Sequence, residues 1–305
     1  MNCFFAALLA LSAARPALAD HPELAPPQGP SVDGRASSGE TMVMDTGSGQ
    51  IRWKPGSAEW ELLSRQGTVL HSFPLARPDR RPPKGATYRA LLPPRGHQFL
   101  VVEETRREVG LHLSERLADA KPKAAVVRSV LRLVDESSRI FWERTTEDKT
   151  QAGTRADPQH LQIAPNGTTA ILLEDVDPYT KNRPVLSVIS PGGREVLKLD
   201  YTAFQRVDEF ALAPDGRALV VHGFGLVPEE GTAGRAIGYY QPGKGALWIK
   251  QVPRMADPRL RLELVSADGW TCCVETPDGW TAYSRSGEAS VLSAEEMWRK
   301  FAVRP

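Results

Sequence analysis

Cysteines and long apolar runs are scarce in this chain of 305 residues. It has three cysteines, at positions 3, 272 and 273, and no apolar run approaches the roughly 20 residues that span a bilayer. Neither sign of charge dominates, since 38 lysines and arginines face 37 aspartates and glutamates. A balanced charge disfavours the broad phosphate-binding surface of a nucleic-acid-binding protein. We therefore predict no membrane span and no nucleic-acid partner, and a chain of this length needs no disulfide or metal in order to fold.

Familiar patterns of catalytic or metal-binding residues are also missing. The six histidines are scattered, without the His-x-His or His-Glu-x-x-His spacing that indicates a zinc site. The run Gly223-Phe224-Gly225 follows a predicted strand but opens no helix, so it does not indicate a nucleotide site. No convincing Gly-x-Ser-x-Gly or phosphate-binding glycine loop is present. The sequence predicts no cofactor, no metal site and no catalytic residue.

The first 40 residues have the features of an export signal followed by a flexible lead-in. Residues 4–11 form a short apolar run, and Ala17 and Ala19 are the small residues that a signal peptidase accepts. A positively charged n-region is missing apart from the α-amino group. The following segment is rich in proline and has little to bury. We predict a signal peptide at 1–19, a flexible segment at 20–40, and a periplasmic or secreted location.

A short pattern recurs along the rest of the chain. An alternating strand is followed by a turn, typically Pro-Asp-Gly or a variant of it, and then by a dense apolar strand. Two more strands follow, joined by a turn rich in glycine or serine. The turn glycines supply the positive φ that a tight hairpin requires, so consecutive strands pair antiparallel. A further unit at 41–73 fits the same frame, and the four clear copies of the pattern start at residues 88, 161, 210 and 262.

The second strands of these five units indicate how the units pack. Residues 170–173 and 218–221 are apolar on both faces, which is typical of strands buried on both sides. A small sheet stacked between two others satisfies this, so we predict an all-β ring of about five four-stranded antiparallel blades over 41–292. An open pair of β-sandwiches is the alternative. Ser293 and Glu296 form a capping box that predicts a short C-terminal helix at 294–301, within the tail 293–305.

The repeats resemble those of the β-propeller family, in particular bacterial exported proteins with WD40-like Pro-Asp-Gly repeats of the TolB type. The resemblance rests on turns such as Pro165-Asn166-Gly167 and Pro214-Asp215-Gly216 and covers 41–292. The Gly-His and Trp-Asp pairs of true WD40 blades are absent, so the partner rules of that family do not carry over. The resemblance implies a propeller with its ligands at one end, and it implies nothing about activity.

Candidate binding residues concentrate in the connections after the second and fourth strands of each unit, which lie at the same end of a meander. These connections are long and charged, over 74–87, 103–125, 144–160, 175–184 and 222–235. The candidates are a basic set, Arg77, Arg80, Arg81, Lys84, Arg106 and Arg107, an acidic set, Asp175, Asp177 and Tyr179, and His222 and Phe224. The basic set suits an anionic partner, and the acidic set suits Ca²⁺ or a basic partner. The alternative is that both sets are solvated loops, and that His222 is a hydrogen-bonded structural residue.

Two local motifs have both a functional and a structural interpretation. Asp45-Thr46-Gly47-Ser48 resembles the active-site motif of pepsin-like peptidases, but such enzymes need a second aspartate motif, which is missing. The motif occupies the position of a hairpin turn, and we interpret it as one. Cys272 and Cys273 could close a vicinal disulfide. Because adjacent residues of a strand point to opposite faces, two buried thiols are the interpretation we favour.

The sequence thus favours an exported, non-catalytic binding or scaffold protein that uses the long-loop end of a β-propeller. Its partner is an unidentified protein or glycan. The alternative function is a secreted hydrolase with carboxylates at the same end, for which Asp175 and Asp177 are the candidates.

Overall fold

The computed structural model describes residues 41–109, 123–147, 158–175, 183–200, 202–227, 231–251, 262–265, 271–276, 279–293 and 295–296. These residues form five four-stranded antiparallel sheets, each ordered as its strands follow one another in the chain. The strands of the first two sheets are β1 (Met42–Asp45), β2 (Gln50–Trp53), β3 (Glu59–Leu63), β4 (Val69–Pro74), β5 (Ala86–Leu91), β6 (Gln98–Val109), β7 (Lys123–Asp135) and β8 (Ile140–Glu147).

The other three sheets repeat the same four-stranded meander. Their strands are β9 (Pro158–Ile163), β10 (Thr169–Asp175), β11 (Arg183–Ile189), β12 (Glu195–Leu199), β13 (Phe204–Leu212), β14 (Leu219–Val227), β15 (Thr232–Gln241), β16 (Gly245–Gln251), β17 (Leu262–Val265), β18 (Thr271–Thr276), β19 (Gly279–Ser284) and β20 (Ala289–Leu292). The predicted fold class, all-β with five four-stranded antiparallel sheets, is confirmed.

Tight turns join the strands where the glycine pattern places them. Gly167, Gly193 and Gly216 have φ of 84°, 82° and 70°, and each donates its N–H to the carbonyl three residues earlier at 2.8–2.9 Å. L-residues with a side chain rarely adopt this conformation, which explains glycine at these positions. The capping box is also formed, because Ser293 N donates to Glu296 Oε2 at 2.9 Å and Glu296 N donates to Ser293 Oγ at 3.2 Å. The rest of the predicted C-terminal helix lies outside the described residues.

Apolar cores join neighbouring sheets in sequence order. Alternate residues of one strand enter different cores: Ile171 packs between the second and third sheets, whereas Ala170 and Leu172 pack between the third and fourth. Val220 similarly enters the core between the fourth and fifth sheets. The predicted burial of the second strands on both faces is therefore confirmed. It follows from the strand period of two, which sends successive side chains to opposite faces.

Hydrogen bonds between first strands hold the sheets side by side. Gln162 of β9 donates its side-chain amide to Phe210 O at 2.9 Å and accepts from Leu212 N at 2.7 Å. The β5–β6 turn similarly contacts β1, where Gly96 N donates to Asp45 O at 3.1 Å. The first strands of the third and fourth sheets thus lie side by side. Among the described residues no apolar core joins the fifth sheet to the first.

The far face of the first sheet, which points away from the second sheet, carries both charged and apolar side chains. Its middle is an ion pair between Arg52 and Glu61, whose side chains are both more than one third exposed. Val43, beside Arg52 in the strand register, is 42% exposed. This face contrasts with the opposite one, where Trp53 and Trp60 are buried against the second sheet.

The predicted long loops are shorter than expected in two places, because the strands continue through their polar residues. β6 and β7 remain paired as far as Val109 and Lys123, and β14 and β15 as far as Val227 and Thr232. Backbone hydrogen bonding extends a hairpin whether or not its side chains are apolar. The assignment of 222–235 to a loop is therefore wrong, and His222 and Phe224 lie within β14.

Candidate functional site

A cleft of about 230 Å³ lies at the long-loop end of the second sheet. The β4–β5 connection forms its rim, and the face of the sheet that packs on the first sheet forms its floor. Leu75, buried in the core between the two sheets, fixes the start of the connection. The cleft is lined by Arg77, Arg80, Arg81, Pro82, Pro83, Tyr88, Glu103, Arg128, Val130, Arg132 and Glu143.

Strand register explains why the floor residues share one face. Tyr88 is opposite Glu103, which is opposite Val130 on the next strand. Arg132, two residues along β7, is opposite Glu143 of β8. Residues two apart on a strand, and residues directly opposite on neighbouring strands, point to the same side. The sheet therefore places a tyrosine, an arginine and two glutamates together.

Arg77 anchors the rim to the floor. Its guanidinium donates to both carboxylate oxygens of Asp79, at 2.7 and 2.6 Å, and to Glu143 Oε2 at 3.1 Å. The hydrogen bonds that Arg77 donates to Asp79 and then to Glu143 raise the pKa of Arg77, and the bond from Arg77 lowers the pKa of Asp79. Arg80 approaches the other oxygen of Glu143 at 3.6 Å, with 61% of its side chain exposed. Glu143 thus lies between one fixed and one exposed arginine.

Arg132 is the buried cation of the floor, with 3% of its side chain exposed. Its Nη2 donates to Leu75 O at 2.8 Å and lies 3.6 Å from Glu103 Oε2. Arg128 approaches the other oxygen of Glu103 at 3.9 Å. Burial lowers the pKa of Arg132, but an arginine stays protonated at any physiological pH. Burial, and then the charge of Glu103, raise the pKa of Tyr88.

Positive charge exceeds negative charge in this cleft. Five arginines line it together with two glutamates, and Asp79 beside it adds a third carboxylate, so five positive charges face three negative ones. Arg81 is exposed and forms no ion pair with any residue that the structure describes. Guanidinium groups in a partly enclosed site bind oxyanions through paired N–H donors. The arrangement is suited to holding an anionic group.

The structure brings part of the predicted basic set into the cleft. Arg77, Arg80 and Arg81 line it, whereas Lys84 is exposed outside the lining. Arg106 instead pairs with Glu104 at 3.2 Å, on the opposite face of β6 from Glu103. Arg107 lies in β6, and its side chain is outside the described part. Charged residues inside the apolar strands β6 and β7 were a usable signal for part of the rest. Sequence reasoning missed five polar lining residues: Tyr88, Glu103, Arg128, Arg132 and Glu143.

The acidic set is described only in part. Asp175 ends β10, where it is opposite Arg183 in the register. Asp177 and Tyr179 lie outside the described residues. The structure therefore gives no geometry for a cation site formed by these residues. Within the part of the chain that it does describe, no three His, Cys, Asp or Glu residues are grouped to hold a metal ion.

His222 and Phe224 lie on the fourth sheet, far along the chain from the cleft residues. His222 is 1% exposed, and neither ring nitrogen has a hydrogen-bond partner within the described part of the chain. Burial lowers its pKa, Asp208 opposes this, and the charges of Arg235 and Arg206 add to it. The alternative of a hydrogen-bonded structural histidine has no partner among the described residues and stays a prediction. Phe224 is half-buried, opposite Arg206 and Arg235 in the register.

The structure shows where the two local motifs lie, one in a hairpin turn and the other in a buried strand. Asp45 accepts from Gln50 Nε2 at 2.8 Å, and Thr46 N donates to Gly49 O at 2.8 Å, so the motif forms the β1–β2 turn. Cys272 and Cys273 are both buried, and they are not joined by a disulfide. Cys272 packs between the fourth and fifth sheets, and Cys273 packs on the other face of the fifth. Burial raises the pKa of Cys272 to about 12, which suppresses the reactive thiolate.

No helix within the described residues combines the length and the hydrophobicity needed to cross a membrane. No protein-family model matches the sequence, and a search of curated proteins gives no match.

Solved structures of several kinds are similar in backbone arrangement. A eukaryotic initiation factor matches with 15% identity and a TM-score of 0.43, over 85% of this chain and 56% of that one. Hydrazine synthase of Kuenenia stuttgartiensis matches with 10% identity and a TM-score of 0.41, over 80% and 64% of the two chains. AztD of Citrobacter koseri matches with 12% identity and a TM-score of 0.37, over 82% and 69%. The chain spans less than two thirds of the first two proteins, and its propeller-like fold is assigned from its own five sheets.

Proposed function

We propose that this protein is an exported, non-catalytic binding module whose partner docks at the long-loop end of the propeller-like fold. The observation that carries the proposal is the cleft on the second sheet, with five arginines against three carboxylates. The partner is a protein or glycan that presents an acidic group. Export is supported by the apolar run and small residues within 1–19, and the turn sequences support kinship with TolB-like exported propellers.

The charges of the cleft favour binding over hydrolysis. A hydrolase of the glycosidase type needs one carboxyl group as an acid and a second as a base or nucleophile. The cleft does hold two carboxylates, but Glu143 lies between Arg77 and Arg80, and Glu103 between Arg128 and Arg132. Both carboxylates are therefore engaged in charge pairs with arginines, an arrangement typical of a binding site.

Reversal of the exposed rim charges tests the proposal. The mature chain, which we expect to begin at Asp20, is immobilised and used to capture partners from the extract of producing cells. Arg80→Glu combined with Arg81→Glu is expected to reduce capture of a specific partner at least about tenfold, because two attractive charges become repulsive. Quantitative mass spectrometry of the captured proteins and glycans measures the change.

The matched control is Arg217→Glu combined with Lys244→Glu. Both residues are exposed and lie in short turns at the opposite end of the fourth sheet. This variant has the same net charge as the rim variant and should capture the partner as the unmodified chain does. Equal capture by all three proteins would refute the assignment of the cleft as the docking surface.

A further inference from the structure

The groups that the cleft arginines already hold indicate which ligand they select. Every described partner of the five lining arginines that carries charge is a carboxylate, from Glu103, Glu143 or Asp79. Arginine pairs with carboxylate through two parallel N–H donors in one plane. The Arg77–Asp79 pair has this geometry, with both contacts below 2.8 Å. A carboxylate brought by a partner would meet the same kind of donors.

The rim cations differ in how firmly they are held. Arg77 is tied to Asp79 and Glu143 by three hydrogen bonds. Arg80 has one ion-pair contact with a described residue, at 3.6 Å, and most of its side chain is exposed. An ion pair of this kind contributes little stability. Arg81 is exposed and without an ion partner among the described residues. Arg80 and Arg81 can thus turn towards an incoming anion while Arg77 keeps Glu143 in place.

The size of the cleft limits what enters it. Its volume of about 230 Å³ is smaller than the roughly 300–1,000 Å³ of pockets that enclose drug-sized ligands. The lining also offers apolar surface from Pro82, Pro83 and Val130, which suits the methylene groups of a side chain. The two prolines fix the backbone of the rim, so little order is lost on binding.

We infer that the cleft binds the carboxylate of an acidic side chain inserted by a protein partner, clamped at the rim by Arg80 and Arg81. The inference rests on the proposed function and names its ligand. Glu143 is an internal competitor for Arg80, because its carboxylate occupies the position that the partner's carboxylate would take. Removal of this competitor should strengthen binding.

Peptide titration tests the inference on the mature chain. The probes are an amide-capped decapeptide of alternating glycine and glutamate and the same peptide with glutamine in place of glutamate. By calorimetry the glutamate peptide is expected to bind at least about tenfold more tightly than the glutamine peptide. Arg80→Gln combined with Arg81→Gln should remove this preference. Lys84→Gln, in the same connection but outside the lining, should leave it within about twofold.

Glu143→Gln supplies a second test, in which binding is expected to become stronger. This variant keeps the shape of the side chain and should bind the glutamate peptide several-fold more tightly, since Arg80 is released. Glu195→Gln removes the same charge from the ion pair with Arg144 and is the matched control. Equal strengthening in both variants would show a general charge effect and would overturn the competitor role of Glu143.

Two further outcomes would overturn the choice of ligand. Tighter binding of oligogalacturonate than of the glutamate peptide would identify a uronic-acid glycan, and equal binding of inorganic sulfate would show a site without preference for carboxylate. Failure of every probe, combined with Arg80- and Arg81-dependent capture in the extract experiment, would reject the acidic side chain but leave the docking surface intact. If capture were also independent of these arginines, the proposed function itself would be wrong.

Discussion

Arginines only a few positions apart in the chain differ in whether their charge is held in ion pairs or is open to a ligand. Arg77 and Arg81 belong to one connection, yet Arg77 is fixed by two carboxylates and Arg81 is exposed without an ion partner among the described residues. The sequence identified both as basic candidates, since composition shows where charge lies. It did not predict Glu143 as the partner of Arg77, because that pairing depends on how the β4–β5 connection folds across the second sheet. The two residues are 66 positions apart, so no local pattern in the sequence indicates that they pair.

A single histidine is expected to make stability depend on pH. Burial lowers the pKa of His222 in the folded state, whereas the unfolded value is about 6.5. The unfolded chain therefore binds more protons below that value, so the free energy of unfolding falls as the pH drops from about 7 to about 5. His222→Leu removes the titrating imidazole, so the free energy of unfolding should depend less on pH. Urea unfolding at several pH values measures it.

The control for this prediction is His71→Leu, since His71 is exposed on β4. The variant should keep the pH dependence of the unmodified chain. An unchanged slope in His222→Leu would contradict the assignment of His222 as the responsible group.

Hairpins were the elements that sequence predicted best. Turn glycines such as Gly167 and Gly216 have the positive φ that their motifs require. Strand ends were predicted less well, because β14 continues to Val227 through residues that read as a loop. Gly223 explains part of this difference: a Cβ there would lie 2.0 Å from Arg206 O on β13. The glycine is needed because two strands approach closely there. In a single sequence, however, a glycine at this position looks like the glycine of a loop.

Two turn glycines should differ in their sensitivity to alanine. Both Gly216 and Gly243 have positive φ, at 70° and 83°, so alanine costs about 1 kcal/mol of conformational strain at either. A Cβ at Gly216 would also lie 2.7 Å from Thr168 Cβ of the neighbouring sheet, whereas one at Gly243 meets nothing within 4 Å. Gly216→Ala should therefore destabilise by about 1–3 kcal/mol more than Gly243→Ala. Equal unfolding midpoints in urea would show that the contact with Thr168 contributes nothing.

At the scale of the whole molecule, stability is shared between neighbouring sheets. The third and fourth sheets each enter two apolar cores, whereas the described residues of the first sheet enter one. The sequence predicted this stacking, because strands apolar on both faces require cover on both sides. It did not predict the cleft, which forms where the connection between two sheets crosses the end of their shared core.

The destabilising effect of removing a core side chain should extend to the sheets that share its core. Trp60→Ala, in the one apolar core that the described residues of the first sheet enter, is expected to cost about 3–5 kcal/mol and to remove hydrogen-exchange protection mainly from residues 42–74. Leu219→Ala, in the core between the third and fourth sheets, should reduce protection in both of those sheets. Exchange read by mass spectrometry distinguishes the two patterns. Uniform loss of protection over the whole chain in Trp60→Ala would indicate one indivisible folding unit.

The Arg52–Glu61 pair limits how such an array lengthens. An additional sheet stacked on that side of the first one would have to desolvate both charges and cover Val43 with an imperfect fit. If a four-stranded unit were duplicated next to the first sheet, the new sheet would pack well only after Arg52 and Glu61 were replaced by apolar residues. Terminal units of stacked-repeat proteins have a polar outer face, and the cost of desolvating the Arg52–Glu61 pair would oppose stacking on the first sheet for the same physical reason.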